Sequence, residues 1–230
     1  MKVAVVLYLY NTDLWDEYKI LLENIPNSKI KLYIGLCKHT QYANIINDLY
    51  KSNLNYYLTF HSNFGGDIAP FLSQLKHIHE PYFIKIHGKK SLWKNRINWR
   101  KDLNNLLKTS IVEYTINTLA SNNIGMIGHA KYLMYDRMCI HTQKIKELCN
   151  ILTLNYSLLK NSAFFAGSMF ISKTHIFQKA FLPYVDILLS LLSNEKLKIN
   201  ETCGTYSHAL ERIFGYLIKN NNQKISLYYT

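Results

Sequence analysis

The chain of 230 residues has little of what staples or interrupts a fold: four cysteines, four prolines and nine glycines. Cys37, Cys139, Cys149 and Cys203 are far apart, with no CxxC pair and no zinc-like spacing. That excludes a disulfide framework and a structural metal cluster, and it fits a reducing cytoplasm. Long apolar runs are missing too. The most apolar stretch, 163–193, is interrupted by Lys173, His175, Lys179, Pro183 and Asp186, short of the ~18 consecutive apolar residues of a spanning helix, so no transmembrane anchor is expected. The opening MKVAVVLYLY has no small-residue cleavage site and reads as a first strand rather than a leader. No HExxH, GxSxG or GxxxxGKS motif occurs, which leaves zinc proteases, nucleophile-elbow hydrolases and P-loop enzymes without support.

What is present is a globular composition: 48% hydrophobic, 18% charged, mean hydropathy -0.11. Lys and Arg outnumber Asp and Glu by 27 to 15, a net +12 that attracts nucleic acid, anionic lipid or phosphorylated small molecules. Only Arg96, Arg100, Arg137 and Arg212 are arginines, and Asn, Ile and Tyr are abundant. This is the pattern of an A+T-rich genome, so part of the charge reflects codon usage. With no recognition motif and no basic helix, nucleic acid is not an expected partner.

Strand and helix patterns alternate from the start. Residues 3–10 read as a strand, 14–24 as a helix, 29–37 as a strand, 41–52 as a helix and 56–60 as a strand. Gly65 and Gly66 then allow a tight turn, Asp67 is placed to cap a helix reaching about His79, and Pro81 ends it. A strand over 82–87 opens into the basic loop Gly88, Lys89, Lys90 and Ser91. Helices are expected over 97–109 and 111–121, and a short strand over 125–128. Residues 131–161 are the least legible and read as helical. A strand over 163–171, a helix over 177–193 bent at Pro183 and a helix over 206–219 complete the pattern. No repeat, linker or low-complexity segment appears, so the expectation is α/β, a single domain over 1–230, with a mostly parallel central sheet flanked by helices.

Ligands in such sheets lie beyond the carboxyl ends of the strands. The loop after the third strand offers Asn63 and Asp67, and the loop after the fourth offers His87, Lys89 and Lys90. Carboxylate and amide groups beside lysines suit a nucleotide diphosphate. Spacing alone equally allows a helix cap at Asp67, a solvated turn at Lys89 and Lys90, and a core histidine at His87. His77, His79 and His87 lack metal-ligand spacing. His208, Glu211, Arg212 and Gly215 form a polar strip along the last helix. Glu211 is a base if that strip faces the cleft, and half of a surface ion pair if it faces solvent.

The segments NFGGDIAPFLSQL, FIKIHGKKS, NWRKDLNNLL, NIGMIG, FFAGSMF and GTYSHALERIFG resemble, in that order, the rhamnan synthesis protein F family of bacterial polysaccharide-assembly proteins. The likeness runs from Val3 to about Leu217. It implies a GT-A glycosyltransferase-like fold and transfer of rhamnose or a similar sugar from a nucleotide-sugar donor to a lipid-linked glycan acceptor. It further implies surface polysaccharide or O-antigen synthesis at the cytoplasmic face of an anionic membrane. The Asp-x-Asp motif that usually ends the fourth strand of that fold is replaced by Lys85, Ile86 and His87. The resemblance therefore implies metal-independent, inverting catalysis with no cofactor. The roles that follow are Glu211 as base, Asn63 and Asp67 holding the donor, and His87, Lys89, Lys90 and Arg100 at the diphosphate. Trp99, Gly167, Ser168 and His208 would shape the acceptor or sugar pocket. The family commonly carries Arg where this chain has Gly66. A non-catalytic glycan or lipid-carrier binding module is the alternative.

Overall fold

A computed structural model describes residues 2–88, 90, 97–121, 123–135, 141–159, 162–195 and 204–229. Strand β1 (Val3–Leu9) leads to helix α1 (Trp15–Glu23), β2 (Ile30–Cys37) to α2 (Ala43–Lys51), and β3 (Tyr56–His61) to α3 (Ile68–Gln74) and β4 (Tyr82–His87). There follow α4 (Ile97–Asn104), α5 (Thr109–Ser121), β5 (Ile124–His129), β6 (Leu133–Tyr135), α6 (Thr142–Ile151), β7 (Ala163–Phe165) and β8 (Phe170–Lys173). The chain then runs through α7 (Thr174–Phe181), α8 (Val185–Asn194), α9 (Tyr206–Asn220) and β9 (Lys224–Tyr228).

Seven strands form one sheet in the order β3-β2-β1-β4-β8-β5-β9. Only β8 runs against its neighbours β4 and β5; every other pairing in this sheet is parallel. The expected mostly parallel α/β sheet is therefore present. All of β1 is buried, because helices cover both faces; a strand covered on both sides needs no polar alternation. On one face Ala4, Val6, Tyr33, Phe83 and Phe170 pack with Phe71, Phe177 and Phe214 from α3, α7 and α9. On the other Val5, Leu7, Ile34, Ile84 and Ile86 meet Tyr18, Ile45, Leu103 and Val112 from α1, α2, α4 and α5. The rings of Phe71, Phe83, Phe170, Phe177 and Phe214 sit 5.0–6.0 Å apart between centroids, in tilted or edge contacts, each pair adding about 0.5–1.5 kcal/mol beyond its buried area.

Three expectations need correction. The strand expected over 163–171 is two strands in different sheets: β7 pairs with β6, while β8 joins the main sheet. Gly167 at φ 87° and Ser168 at φ 51° turn the chain between them, a conformation no extended strand contains. Residues 131–161 are not simply helical, since β6 precedes α6 there. Strand β9 was not anticipated; it pairs with β5, a partner about one hundred residues away in sequence that local pattern cannot reveal. The helical run 174–194 has the length and apolarity of a membrane span. In this fold it bends through a 3-10 turn at Pro183, and Phe177, Phe181, Leu188 and Leu192 are buried in the core.

Candidate functional site

Strand β4 follows the β1 ladder up to Tyr8 and His87, whereas its pairing with β8 ends at Lys85 and Phe170. Beyond that point β4 and the segment entering β8 leave the ladder, and polar groups from four elements fill the gap. Phe83, Lys85 and His87 share one face of β4 by the two-residue period of a strand, so the lysine and histidine point toward α3 and α9.

Lys85 is the unusual member. Its side chain is only 2% exposed, and its ammonium pairs with Asp67 Oδ2. It also donates to Ser168 O at 3.1 Å and Ser168 Oγ at 2.9 Å, and the rings of Phe71 and Phe214 flank it at 5.5 and 6.0 Å. Asp67 occupies the first position before α3, as its sequence predicts, yet its side chain makes no capping hydrogen bond. The carboxylate instead accepts from Lys85 and Ser168 and lies 3.8 Å from His87 Nε2. This corrects the capping expectation: a buried ammonium offers a carboxylate a stronger interaction than an amide at a helix start. Burial by itself raises the Asp67 pKa. His87 and Lys85 outweigh that effect and hold the carboxyl well below the usual carboxylate range.

His87 Nε2 lies 2.9 Å from Gly167 O; a carbonyl only accepts, so this nitrogen carries the proton. The Gly167 N–H donates to Glu211 Oε1 at 2.7 Å. The strip on α9 therefore faces the cleft, where Glu211 and His208 line a small cavity with Asp67, Ile68, His87, Gly167, Ser168 and Ser207. Its volume is about 80 Å³, against the ~300–1,000 Å³ of ordinary small-molecule sites, so it accommodates the reacting end of a ligand rather than a whole nucleotide sugar. Arg212 stacks over Phe164 at 4.8 Å and donates to His208 O at 2.6 Å. His208 Nδ1 contacts Thr205 Oγ1 at 2.6 Å, and its ring stacks on His141 at 5.7 Å. Burial, then Arg212, pushes the His141 pKa down to about 4.

Other predicted site residues lie elsewhere. Asn63 is exposed in the loop after β3. Lys90 pairs with Asp13, in the turn before α1. Arg100 is turned away to Glu17 on α1, with Nε 3.1 Å from Oε2. Trp99 makes a tilted ring contact with Tyr132 at 5.8 Å and backs the Gly167 turn so closely that a Cβ at Gly167 would sit 2.9 Å from its ring; it is a wall behind the site. Lys89 lies outside the described residues. The turn before α3 and the end of β4 do converge, but through Lys85 and His87 rather than through Lys90.

Sequence reasoning missed the Lys85 side chain as the hub, Thr205 and His141; Ser168, expected in the sugar pocket, does line the cavity. One signal was available: a lysine inside FIKIH, a run otherwise apolar enough for burial on both faces. Among the described residues no group of three His, Cys, Asp or Glu side chains is placed to hold a metal ion.

A larger groove of about 590 Å³ opens at the same sheet edge, beyond β1 and β2, between the first turns of α1 and α2. It shares no lining residue with the small cavity.

Three solved structures of S. aureus TarS 1-349 share this fold. The structure without a named ligand has a TM-score of 0.53 at 14% identity, the complex with UDP 0.54 at 13%, and the complex with UDP-GlcNAc 0.52 at 14%. Each match covers 100% of this chain but only 58–60% of the TarS chain, so the present chain spans about three fifths of their length. At such identity the likeness establishes the GT-A-like fold and nothing finer. No curated protein sequence matches significantly. The sequence model of rhamnan synthesis protein F matches residues 1–223, nearly the whole chain, and the protein therefore belongs to the rhamnan synthesis protein F family.

Proposed function

We propose that the protein is a glycosyltransferase of bacterial surface polysaccharide synthesis, moving rhamnose or a similar sugar from a nucleotide-sugar donor to a lipid-linked glycan at the cytoplasmic face of the membrane. The observation that carries the reading is the convergence of Glu211, His87 and the Lys85–Asp67 pair on one polar cavity at the carboxyl end of β4. Membership in a rhamnan synthesis family and a fold shared with a protein crystallised with UDP-GlcNAc support it.

In this reading the acceptor hydroxyl gives its proton to Glu211, its oxygen attacks the anomeric carbon, and the bond from that carbon to the diphosphate breaks with inversion. Glu211 is oriented for this by the Gly167 N–H, which donates to Oε1, and by Arg212, whose guanidinium lies 3.6 Å from Oε2. Charge develops on the departing diphosphate. His87 stands in the cavity to meet it. β4 ends in Lys85-Ile86-His87 in place of two carboxylates, so the reading is metal-independent. Gly167 and Ser168 form the wall against which the sugar would rest.

The test is donor turnover. Purified protein is offered a panel of nucleotide sugars, including nucleotide-linked rhamnose, with and without EDTA, and nucleotide diphosphate release is scored. Release with at least one donor, unchanged by EDTA and reduced about 10²–10⁴-fold by Glu211→Gln, is expected. Absence of release with every donor overturns the enzyme reading. The closed Lys85–Asp67 pair and the small cavity favour, as a second reading, a non-catalytic glycan-binding module; calorimetry separates the two, since that module binds glycan without donor.

A further inference from the structure

The groove between α1 and α2 has no part in the mechanism above, yet it is the larger of the two sites. Its volume of about 590 Å³ lies within the ~300–1,000 Å³ range of sites that take a whole small-molecule ligand. Its charges are balanced, which sets it apart in a chain of net +12. Asp13 is paired with Lys90, and Asp48 with Lys19 at 3.2 Å. Asp16 and Lys38 are the other two charged residues of the lining, one of each sign. A phosphate-bearing ligand therefore meets no excess positive charge here, although most of the surface would attract it.

The uncharged lining is equally selective. Thr12, Thr40, Gln41 and Asn44 mix donors and acceptors, which suits hydroxyl groups that are both at once. Tyr42 supplies a half-buried aromatic wall, held by its contact with Phe60 at 4.9 Å, and such a ring stacks on the apolar face of a sugar. Asp48 is fixed by the Trp15 indole N–H at 2.9 Å, so one acceptor is in place before any ligand arrives. We infer that the groove is a binding site for a neutral oligosaccharide segment. The Asp13–Lys90 pair ties its rim to the loop leaving β4, three residues beyond His87. The inference deepens the proposed function by giving the neutral part of the acceptor glycan a surface of its own, but binding is measured without turnover.

The test is a titration of the full ¹⁵N-labelled chain, read at the Trp15 indole resonance, which is assigned with Trp15→Phe. The probes are neutral trisaccharides of a 6-deoxyhexose, a hexose and an N-acetylhexosamine, with UDP as the anionic comparison. At least one trisaccharide is expected to shift the resonance saturably with a Kd of about 1 mM, and UDP is expected to leave it in place. Gln41 and Asn44 are exposed, so the double variant Gln41→Ala/Asn44→Ala keeps the fold and is expected to weaken binding about five-fold or more. The inference is overturned if no trisaccharide moves the resonance, if UDP saturates it instead, or if the double variant binds as the parent does. Saccharide binding together with failed donor turnover would uphold this site and remove the transferase reading.

Discussion

The two sides of β4 are built differently. On the β1 side the ladder is parallel and runs the whole strand, from Val3 and Tyr82 to Tyr8 and His87. On the β8 side it is antiparallel and stops at Lys85 and Phe170. The first side belongs to regular strand-helix units whose backbone groups are consumed by the sheet. The second brings in β8 through a left-handed turn at Gly167 and Ser168, and it leaves a backbone N–H and a carbonyl for Glu211 and His87 to use. A regular half gives rigidity, and its meeting with an irregular half gives a pocket.

The strongest way to break this comparison is to remove the charge at the seam. Lys85→Met leaves the Asp67 carboxylate without its ammonium in a largely buried site, and a loss of about 3–5 kcal/mol is expected in urea denaturation. Lys85→Met/Asp67→Leu should recover most of it, because both charges then leave the interior together. A loss below about 1 kcal/mol for the single variant would mean that the pair behaves as a surface one.

Two glycines probe the halves next. A Cβ on Gly215 of α9 would fall 1.9 Å from Ala163 O in β7, so Gly215→Ala should cost about 1–3 kcal/mol or more in thermal denaturation. Gly66, in the turn before α3, has open space around its Cβ but a φ of 58°, so Gly66→Ala should cost only the left-handed backbone term, about 1 kcal/mol. The reverse order would contradict the close contact between α9 and β7.

Acid sharpens the comparison at smaller amplitude. His61, at the end of β3, is pushed from 6.5 down to about 4 by burial first and by Lys38 second. His141, in the irregular half, is also pushed down to about 4. The unfolded chain takes up these protons near pH 6.5, whereas the folded chain holds them off until about pH 4. Stability is therefore whole above pH 6.5 and falls as pH drops toward 4. The depressed Asp67 works lower still: its contribution is full above the unfolded carboxyl value of about 3.9 and is lost on acidification through its folded pKa. Stability against pH for His61→Asn and His141→Asn should show a flatter slope between pH 6.5 and 4 in each, and none of the acid limb due to Asp67 removed.

The smallest effect belongs to the outer loop. The Lys90–Asp13 pair is roughly half exposed on both sides, so Lys90→Ala should change stability by about 0–1 kcal/mol, less at high salt. A larger loss would place the loop nearer the centre of the structure than the pair suggests.

How far each feature was legible follows its range of contact. β1, β2, β3 and β4 read directly as short β-branched or aromatic runs, and α9 as an apolar stripe at helical spacing, because their burial imprints a local period. The break at Pro183 and the turn at Gly65 and Gly66 also carried local signals. The orientation of Glu211 did not: a polar strip on α9 reads the same whether it faces solvent or a cleft, and the packing of α9 in the core, with Gly215 close against β7, turns it inward. Arg100 and Trp99 sat in suggestive positions, yet Glu17 and the Gly167 turn claimed them.

The sequence alone determined the α/β class, the order of the strand-helix units and the family, since these are written in periodicity and in ordered local motifs. The tertiary structure alone decided that β8 enters antiparallel beside β4 and that Asp67 turns from its own helix to Lys85. The reason is physical. A carboxylate chooses between partners by their distance and charge in the folded core, and here those partners lie 18 and 101 residues away, beyond the reach of any local pattern.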